Sequence, residues 1–262
     1  MKAQAKFVEN VREVLKNDKT VIGVTVGGSW LANEIDKYSD VDLIVVTKEK
    51  ISDSKVKMLS YAARLGSLLS GFTGEHVGEP RLLICLYDNP LLHVDIKFLT
   101  LEEVLPRVET PAIILDTDSL LKHAYTQSKA EYPRPDYQWI EDRFWIWVHY
   151  FLLKIGRGEY MEAYDGFGFL RGAVFGPLLH IKNGRLPRGV RKVEFELSES
   201  DLADLKSTLP AYSKESLLKT LKNSVILYQK LRSLLYGSEI ILQHTTEERV
   251  MEYFSLLEKE SR

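Results

Sequence analysis

The stretch that decides the fold is VGGSWLANEIDKYSDVDLIVV, residues 26–46. Alternating β-branched residues over 21–26 predict a strand, and the two glycines that follow predict its end. We expect a short helix after the glycines, with Ser29 as its N-cap. The nearly continuous apolar run over 41–47 predicts a second strand, buried on both faces. A strand, a glycine turn and a second strand therefore follow one another closely.

Two aspartates, Asp40 and Asp42, stand where the second strand begins. Residues two apart on an extended segment point the same way, so these carboxylates repel each other unless a cation lies between them. Mg²⁺ suits such a place, because it takes one or two carboxylates together with substrate phosphates. A third carboxylate, Asp95, lies in the apolar segment LLHVDIKFL, where a charge needs a partner. If the two strands are neighbours, the three carboxylates predict a metal site suited to phosphoryl or nucleotidyl transfer.

The turn between the strands suits a phosphate ligand. Gly27 and Gly28 let the backbone approach a phosphate closely, and Ser29 adds a hydroxyl and free N–H groups.

This glycine-serine turn, followed by the aspartate pair and then by the lone Asp95, resembles the DNA polymerase β-like nucleotidyltransferase superfamily. In size and layout the chain resembles the two-domain aminoglycoside and lincosamide nucleotidyltransferases. The motifs cover about 20–100. The sequence departs from the pattern after the serine, because it has WLAN at residues 30–33 where many relatives have a small residue and an arginine. The resemblance implies transfer of a nucleoside monophosphate to a hydroxyl of a small molecule, with release of pyrophosphate; we expect the transferred group to be AMP from ATP. It also implies Mg²⁺, with two ions expected.

The resemblance assigns a role to each of these residues. Asp40 and Asp42 would hold Mg²⁺ and the triphosphate, and Asp95 would complete the metal site or help to deprotonate the acceptor hydroxyl. The turn formed by Gly27, Gly28 and Ser29 would grip the terminal phosphates.

Composition changes at EYPRPDYQ, where Pro133 and Pro135 interrupt regular structure. We predict a nucleotidyltransferase domain over 1–132 and a helical domain over 136–262, hence an α+β chain in which a mixed-sheet domain precedes an all-helical bundle. RLLICLY and LLHVDIKFL predict a strand pair, and the second half contains at most one strand, at VEFEL. The predicted helices cover 3–17, 53–70, 137–155, 159–181, 213–236 and 246–259.

The first helix of the second half carries two candidate functional residues. In the kanamycin-type relatives that this arrangement resembles, a glutamate base and a lysine lie on the first helix after the sheet domain. Glu141 would then be the general base and Lys154 a triphosphate contact. A solvated acid and a surface lysine are equally open interpretations, and Asp142 and Glu162 are rival bases.

Composition and charge exclude several classes of protein. The chain has 262 residues, 45% of them hydrophobic, which excludes disordered and fibrous proteins. A net charge of -2 argues against a globally basic nucleic-acid binder, and the single Cys85 excludes a disulfide framework. The longest apolar run, 145–153, is too short to span a membrane. We expect a cytoplasmic monomer or homodimer whose partners are a nucleoside triphosphate and a small hydroxyl-bearing acceptor, with neither a membrane nor nucleic acid as partner.

Two alternatives remain open from the sequence. The acceptor could be a protein side chain, as in the antitoxin-type nucleotidyltransferases. Arg143 and His149 also form an R-x5-H pair that resembles the catalytic pair of HEPN-type ribonucleases, although all the intervening residues are apolar.

Overall fold

The computed structural model describes residues 2–260. Its contacts divide the chain into two compact units, Met1–Tyr132 and Pro133–Arg262. The first is built on a mixed sheet, and the second is helical. The prediction of an α+β chain, with a mixed-sheet domain followed by a helical one, is confirmed.

The first unit contains a six-stranded sheet. In chain order its elements are α1 (Lys2–Leu15), β1 (Val21–Val26), β2 (Val41–Thr47), α2 (Lys55–Arg64), β3 (Ser67–Gly74), β4 (Glu79–Asp88), β5 (Leu92–Leu99), β6 (Ala112–Asp116) and α3 (Leu120–Gln127). The strand order is β3-β4-β5-β2-β1-β6. The β2–β5 pair is parallel and the other neighbouring pairs are antiparallel.

The sheet is covered on both faces, but unevenly. Val41, Leu43 and Val45 of β2 are buried in the cluster that includes side chains of α1 and α2. On the opposite face Val46 is buried with side chains of β5 and α3. Asp42 shares that second face, because side chains alternate along a strand. One end of this face is therefore apolar, while the end that begins with Asp42 is only half-buried.

One predicted helix of the first unit is wrong in part, and one strand was missed. The helix expected over 53–70 ends at Arg64, and the apolar residues that follow form the edge strand β3. Short apolar runs fit both periods, and Gly66 interrupts the helical pattern. Strand β6 was not predicted, because it has only five residues directly after Pro111.

The second unit is organised around its first helix. Its elements are α4 (Tyr137–Arg157), α5 (Tyr160–Leu170), α6 (Gly176–Lys182), α7 (Val193–Glu196), α8 (Glu199–Lys206), α9 (Lys214–Leu235) and α10 (His244–Glu260). Phe144, Trp145 and Val148 of α4 are fully buried in one large cluster. The helix expected over 159–181 is divided by a π-turn at Arg171–Phe175, and the strand considered at VEFEL is instead the short helix α7.

Within residues 2–260, no helix is both long and apolar enough to cross a membrane.

Candidate active site

The turn after β1 lies directly beside Asp42. Gly28 has a φ of 62°, in the left-handed region that favours glycine. The Gly27 N–H donates to the carbonyl oxygen of Asp42 at 2.9 Å, which ties the turn to β2. A Cβ on Gly28 would lie 1.9 Å from Asp42 Oδ2. Glycine is therefore required at position 28 both for its backbone conformation and for the close approach of a carboxylate.

The α-helix expected after the glycines does not form. A single 3-10 turn, Gly28–Trp30, takes its place, and Gly27 rather than Ser29 is in the N-cap position. Asn33 then adopts a φ of 54°, which ends any right-handed helical path. Ser29 nevertheless remains in the turn beside Gly28, as the phosphate-binding prediction requires.

Asp42 and Asp95 are directly opposite each other on the parallel strands β2 and β5. Strands pair at a spacing of roughly 4.8 Å, and paired residues in register present their side chains to the same face. Both residues are half-buried, whereas Val41 and Val94 beside them are buried in the core on the other face. The condition set from the sequence, that these two strands be neighbours, is met. Asp40 is also half-buried and lies just before β2.

Residues 2–260 contain no group of three or more His, Cys, Asp or Glu side chains arranged to hold a metal ion by themselves. Magnesium seldom needs such a cage, because it binds one or two carboxylates, substrate phosphates and water. The half-buried pair Asp42 and Asp95 fits that requirement. The three-carboxylate site with Asp40 stays a prediction.

His93 was missed in the sequence. Its Nε2 lies 3.0 Å from Asp95 Oδ1, and about half of its side chain is exposed. The signal was present, because residues two apart on a strand share a face.

Glu109 was also missed. It lies between β5 and β6, and its Oε1 accepts a hydrogen bond from the Gly28 N–H at 2.8 Å. This carboxylate is a further acidic group at the glycine turn.

Lys97 follows Asp95 by two residues and lies on the same face of β5, but it already has an anionic partner. It forms an ion pair with Glu79, which also accepts hydrogen bonds from Arg81. The hydrogen bonds from Arg81 and Lys97 hold the pKa of Glu79 at about 2. Glu79 is therefore ionised at neutral pH.

Glu141 is fully buried in the helical unit. It accepts hydrogen bonds from the Tyr228 hydroxyl, from Arg232 at 3.2 Å and from the Gln243 N–H at 2.9 Å. Burial raises the pKa of Tyr228, so its hydroxyl remains a donor. These contacts favour a structural role for Glu141, whose assignment as general base stays a prediction.

Lys154 and the rival bases also have partners within the helical unit. Lys154 lies 2.6 Å from Glu159 and 2.8 Å from Glu162, and hydrogen bonds to these two glutamates raise its pKa. Asp142 accepts a hydrogen bond from Gln138 at 2.8 Å. The predicted contact of Lys154 with a triphosphate would have to compete with two carboxylates.

Arg143 and His149 point away from each other on α4. Six residues correspond to a rotation of roughly 120° between their side chains about the helix axis. The Arg143 guanidinium lies 4.5 Å from the centre of the Trp139 ring, and His149 packs against Tyr253. This geometry does not favour a joint catalytic pair.

The comparisons with known proteins agree with the geometry of the first unit. Residues 8–107 match the sequence model of the family described as "Nucleotidyltransferase domain". This segment is a nucleotidyltransferase domain. It includes the glycine turn, Asp42 and Asp95. The predicted resemblance to the nucleotidyltransferase superfamily is confirmed over this segment, and so is the prediction of an enzyme of the nucleotidyltransferase class.

Two solved structures are similar over most of the chain. The match to an aminoglycoside 6-adenyltransferase from Bacillus subtilis has 16% identity and a TM-score of 0.41, and it covers 95% of this chain and 97% of the other. The match to a spectinomycin adenyltransferase from Enterococcus faecialis, solved with ATP and spectinomycin, has 12% identity and a TM-score of 0.31, and it covers 97% and 99%. No protein of curated function matches significantly.

Proposed function

We propose that this chain transfers AMP from ATP to a hydroxyl group of a small molecule and releases pyrophosphate. The observation that carries the proposal is the in-register pair of Asp42 and Asp95 beside a turn that only glycine can form. This arrangement lies within the nucleotidyltransferase domain and joins acidic ligands to backbone N–H donors. Nucleotidyl transfer needs both, because the N–H donors hold the triphosphate in position and the acidic residues hold the cation that neutralises its charge.

Each part of the site has a distinct task in this proposal. The turn formed by Gly27, Gly28 and Ser29 binds the terminal phosphates through the backbone N–H groups of Gly28 and Ser29 and through the serine hydroxyl. Asp42 and Asp95, with Asp40 at the start of the strand, would hold Mg²⁺. When bound, Mg²⁺ neutralises charge that develops on the phosphates during transfer.

The chemical step is an in-line displacement at the α-phosphorus. The acceptor oxygen forms a bond to that phosphorus while the bond to the bridging oxygen of the β-phosphate breaks, and pyrophosphate leaves. The acceptor proton passes to a carboxylate, for which we propose Asp95, because it is one-quarter exposed and lies directly opposite Asp42. The rate then depends mainly on positioning and on charge stabilisation.

The acceptor can be found with ATP labelled at the α-phosphate. Purified protein, Mg²⁺ and the label are incubated with a panel of aminoglycosides and lincosamides and separately with a small-molecule extract, a protein extract and RNA. We expect label on a small molecule and its loss in Asp95→Asn. Label on protein would replace the proposal with side-chain adenylylation. Shortened RNA without any transfer would favour the ribonuclease alternative.

A further inference from the structure

The glycine turn already holds an anionic group, the carboxylate of Glu109. Its Oε1 accepts a hydrogen bond from the Gly28 N–H at 2.8 Å. The same oxygen would lie 2.6 Å from a Cβ on Gly27, so the carboxylate lies against both glycines. In the proposed function this N–H group belongs to the set that grips phosphate.

The backbone that carries Glu109 is anchored close by. The Arg107 guanidinium donates to the carbonyl oxygens of Ser128 at 2.6 Å and Tyr125 at 2.9 Å. It also donates to Thr110 Oγ1 at 3.2 Å. Because these bonds hold the chain on both sides of residue 109, rotation of the Glu109 side chain is the simplest way to vacate the turn.

A carboxylate and a phosphate compete for such a position. Both are anionic acceptors, and one N–H cannot serve both at full strength. A phosphate that enters beside Glu109 also meets a like charge, which is costly at close range unless a cation reduces it. A nucleotide therefore has to displace this side chain before it can use the Gly28 N–H.

We propose that Glu109 makes the site selective for metal-complexed nucleotide by occupying the Gly28 N–H until a metal-complexed triphosphate displaces it. This inference rests on the proposed function. While Glu109 competes for the turn, the apparent affinity for nucleotide is the intrinsic affinity multiplied by the fraction of molecules in which the turn is vacant. It disfavours a metal-free nucleotide most, because nothing then offsets the repulsion between carboxylate and phosphate.

Direct binding of radiolabelled ATP, measured by equilibrium dialysis without acceptor, tests this role. Glu109→Ala should bind ATP with Mg²⁺ about tenfold more tightly than the unmodified protein, a fold-change comparable with one charge-assisted hydrogen bond. In EDTA the gain should be larger. Glu109→Gln removes the charge but keeps an acceptor oxygen. Its affinity for ATP in EDTA should therefore also exceed that of the unmodified protein. Glu102→Ala is the matched control, because Glu102 is an exposed carboxylate in the same loop between β5 and β6. It should change the affinity for ATP less than twofold.

The sign of the change separates this role from a structural one. If Glu109 only stabilises the turn, Glu109→Ala binds ATP equally or more weakly, and the inference is overturned while the proposed function stands. Equal gains with and without Mg²⁺ would overturn the metal selectivity. If neither the unmodified protein nor any Glu109 variant binds ATP, the proposed function itself fails and the inference fails with it. Should Glu109→Ala not fold, the affinity of Glu109→Gln in EDTA decides the question: an increase supports the inference, and an unchanged affinity overturns it.

Discussion

Replacement of Gly28 with alanine should have two separate effects, one on the stability of the glycine turn and one on the position of the Asp42 carboxylate. The φ of 62° costs a non-glycine residue about 1–2 kcal/mol. The new Cβ would lie 1.9 Å from Asp42 Oδ2, and real Cβ contacts under 3.0 Å essentially do not occur, so the carboxylate must retreat by more than 1 Å. The oxygen ends a short side chain that can rotate, so the fold survives. A misplaced catalytic group, however, costs roughly 100-fold in rate per ångström.

We therefore expect Gly28→Ala to lower the free energy of unfolding by about 1–2 kcal/mol and kcat/KM for ATP by about 100-fold. Thermal unfolding and transfer of α-phosphate label at low ATP measure the two effects. Gly78→Ala is the matched control, because Gly78 has a φ of 75° but nothing lies within 4 Å of its Cβ position. It should lose similar stability and keep its activity. If both variants have equal kcat/KM, the reasoning that places Asp42 in the catalytic site is refuted.

Three further substitutions or treatments test other parts of the structure. Glu141→Ala should lower the free energy of unfolding in urea by about 3 kcal/mol, because the buried partners of Glu141 lose their carboxylate. Slower transfer by Glu141→Gln at unchanged stability would instead support a role as general base. Burial raises the pKa of Cys85 to about 12, so alkylation by iodoacetamide should be slow in native protein and fast in urea; rapid native alkylation would contradict the buried position. Hydrogen bonds, chiefly from Arg81, hold the pKa of Glu79 at about 2, so its contribution to stability is complete above about pH 4.5 and is lost as pH falls toward 2. Glu79→Gln should make urea stability less dependent on pH in that interval, and an unchanged dependence would rule out this contribution.

The central strands could be predicted from the sequence, whereas the edges of the sheet could not. β1, β2, β4 and β5 have long apolar or alternating runs, and the tight turn between β4 and β5 predicts that these two strands pair. β3 and β6 lie at the two edges, where burial places fewer demands on the pattern. Residues 67–70, the first half of β3, therefore fit the helical pattern of the preceding segment, and pairing with β4 decides their conformation.

The candidate site was predictable where its residues lie on strands. Asp42 and Asp95 follow from alternation and from a single assumption, that their strands are neighbours. Glu109 could not be found in this way, because a loop has no periodicity and 81 positions separate it from Gly28. For Glu141 the sequence shows that an inward charge needs a partner, but its buried contacts come from residues about ninety positions away.

The most direct test of the central claim compares ATP labelled at the α-phosphate with ATP labelled at the γ-phosphate. Unmodified protein, Asp42→Asn and Asp53→Asn are assayed with Mg²⁺ and the identified acceptor, and thermal unfolding confirms that all three are folded. Asp53 is an exposed carboxylate of the same unit and serves as the matched control. The account predicts transfer of the α-label but not of the γ-label, with loss of transfer in Asp42→Asn alone. Transfer of the γ-label, or full α-label transfer by Asp42→Asn, would contradict it.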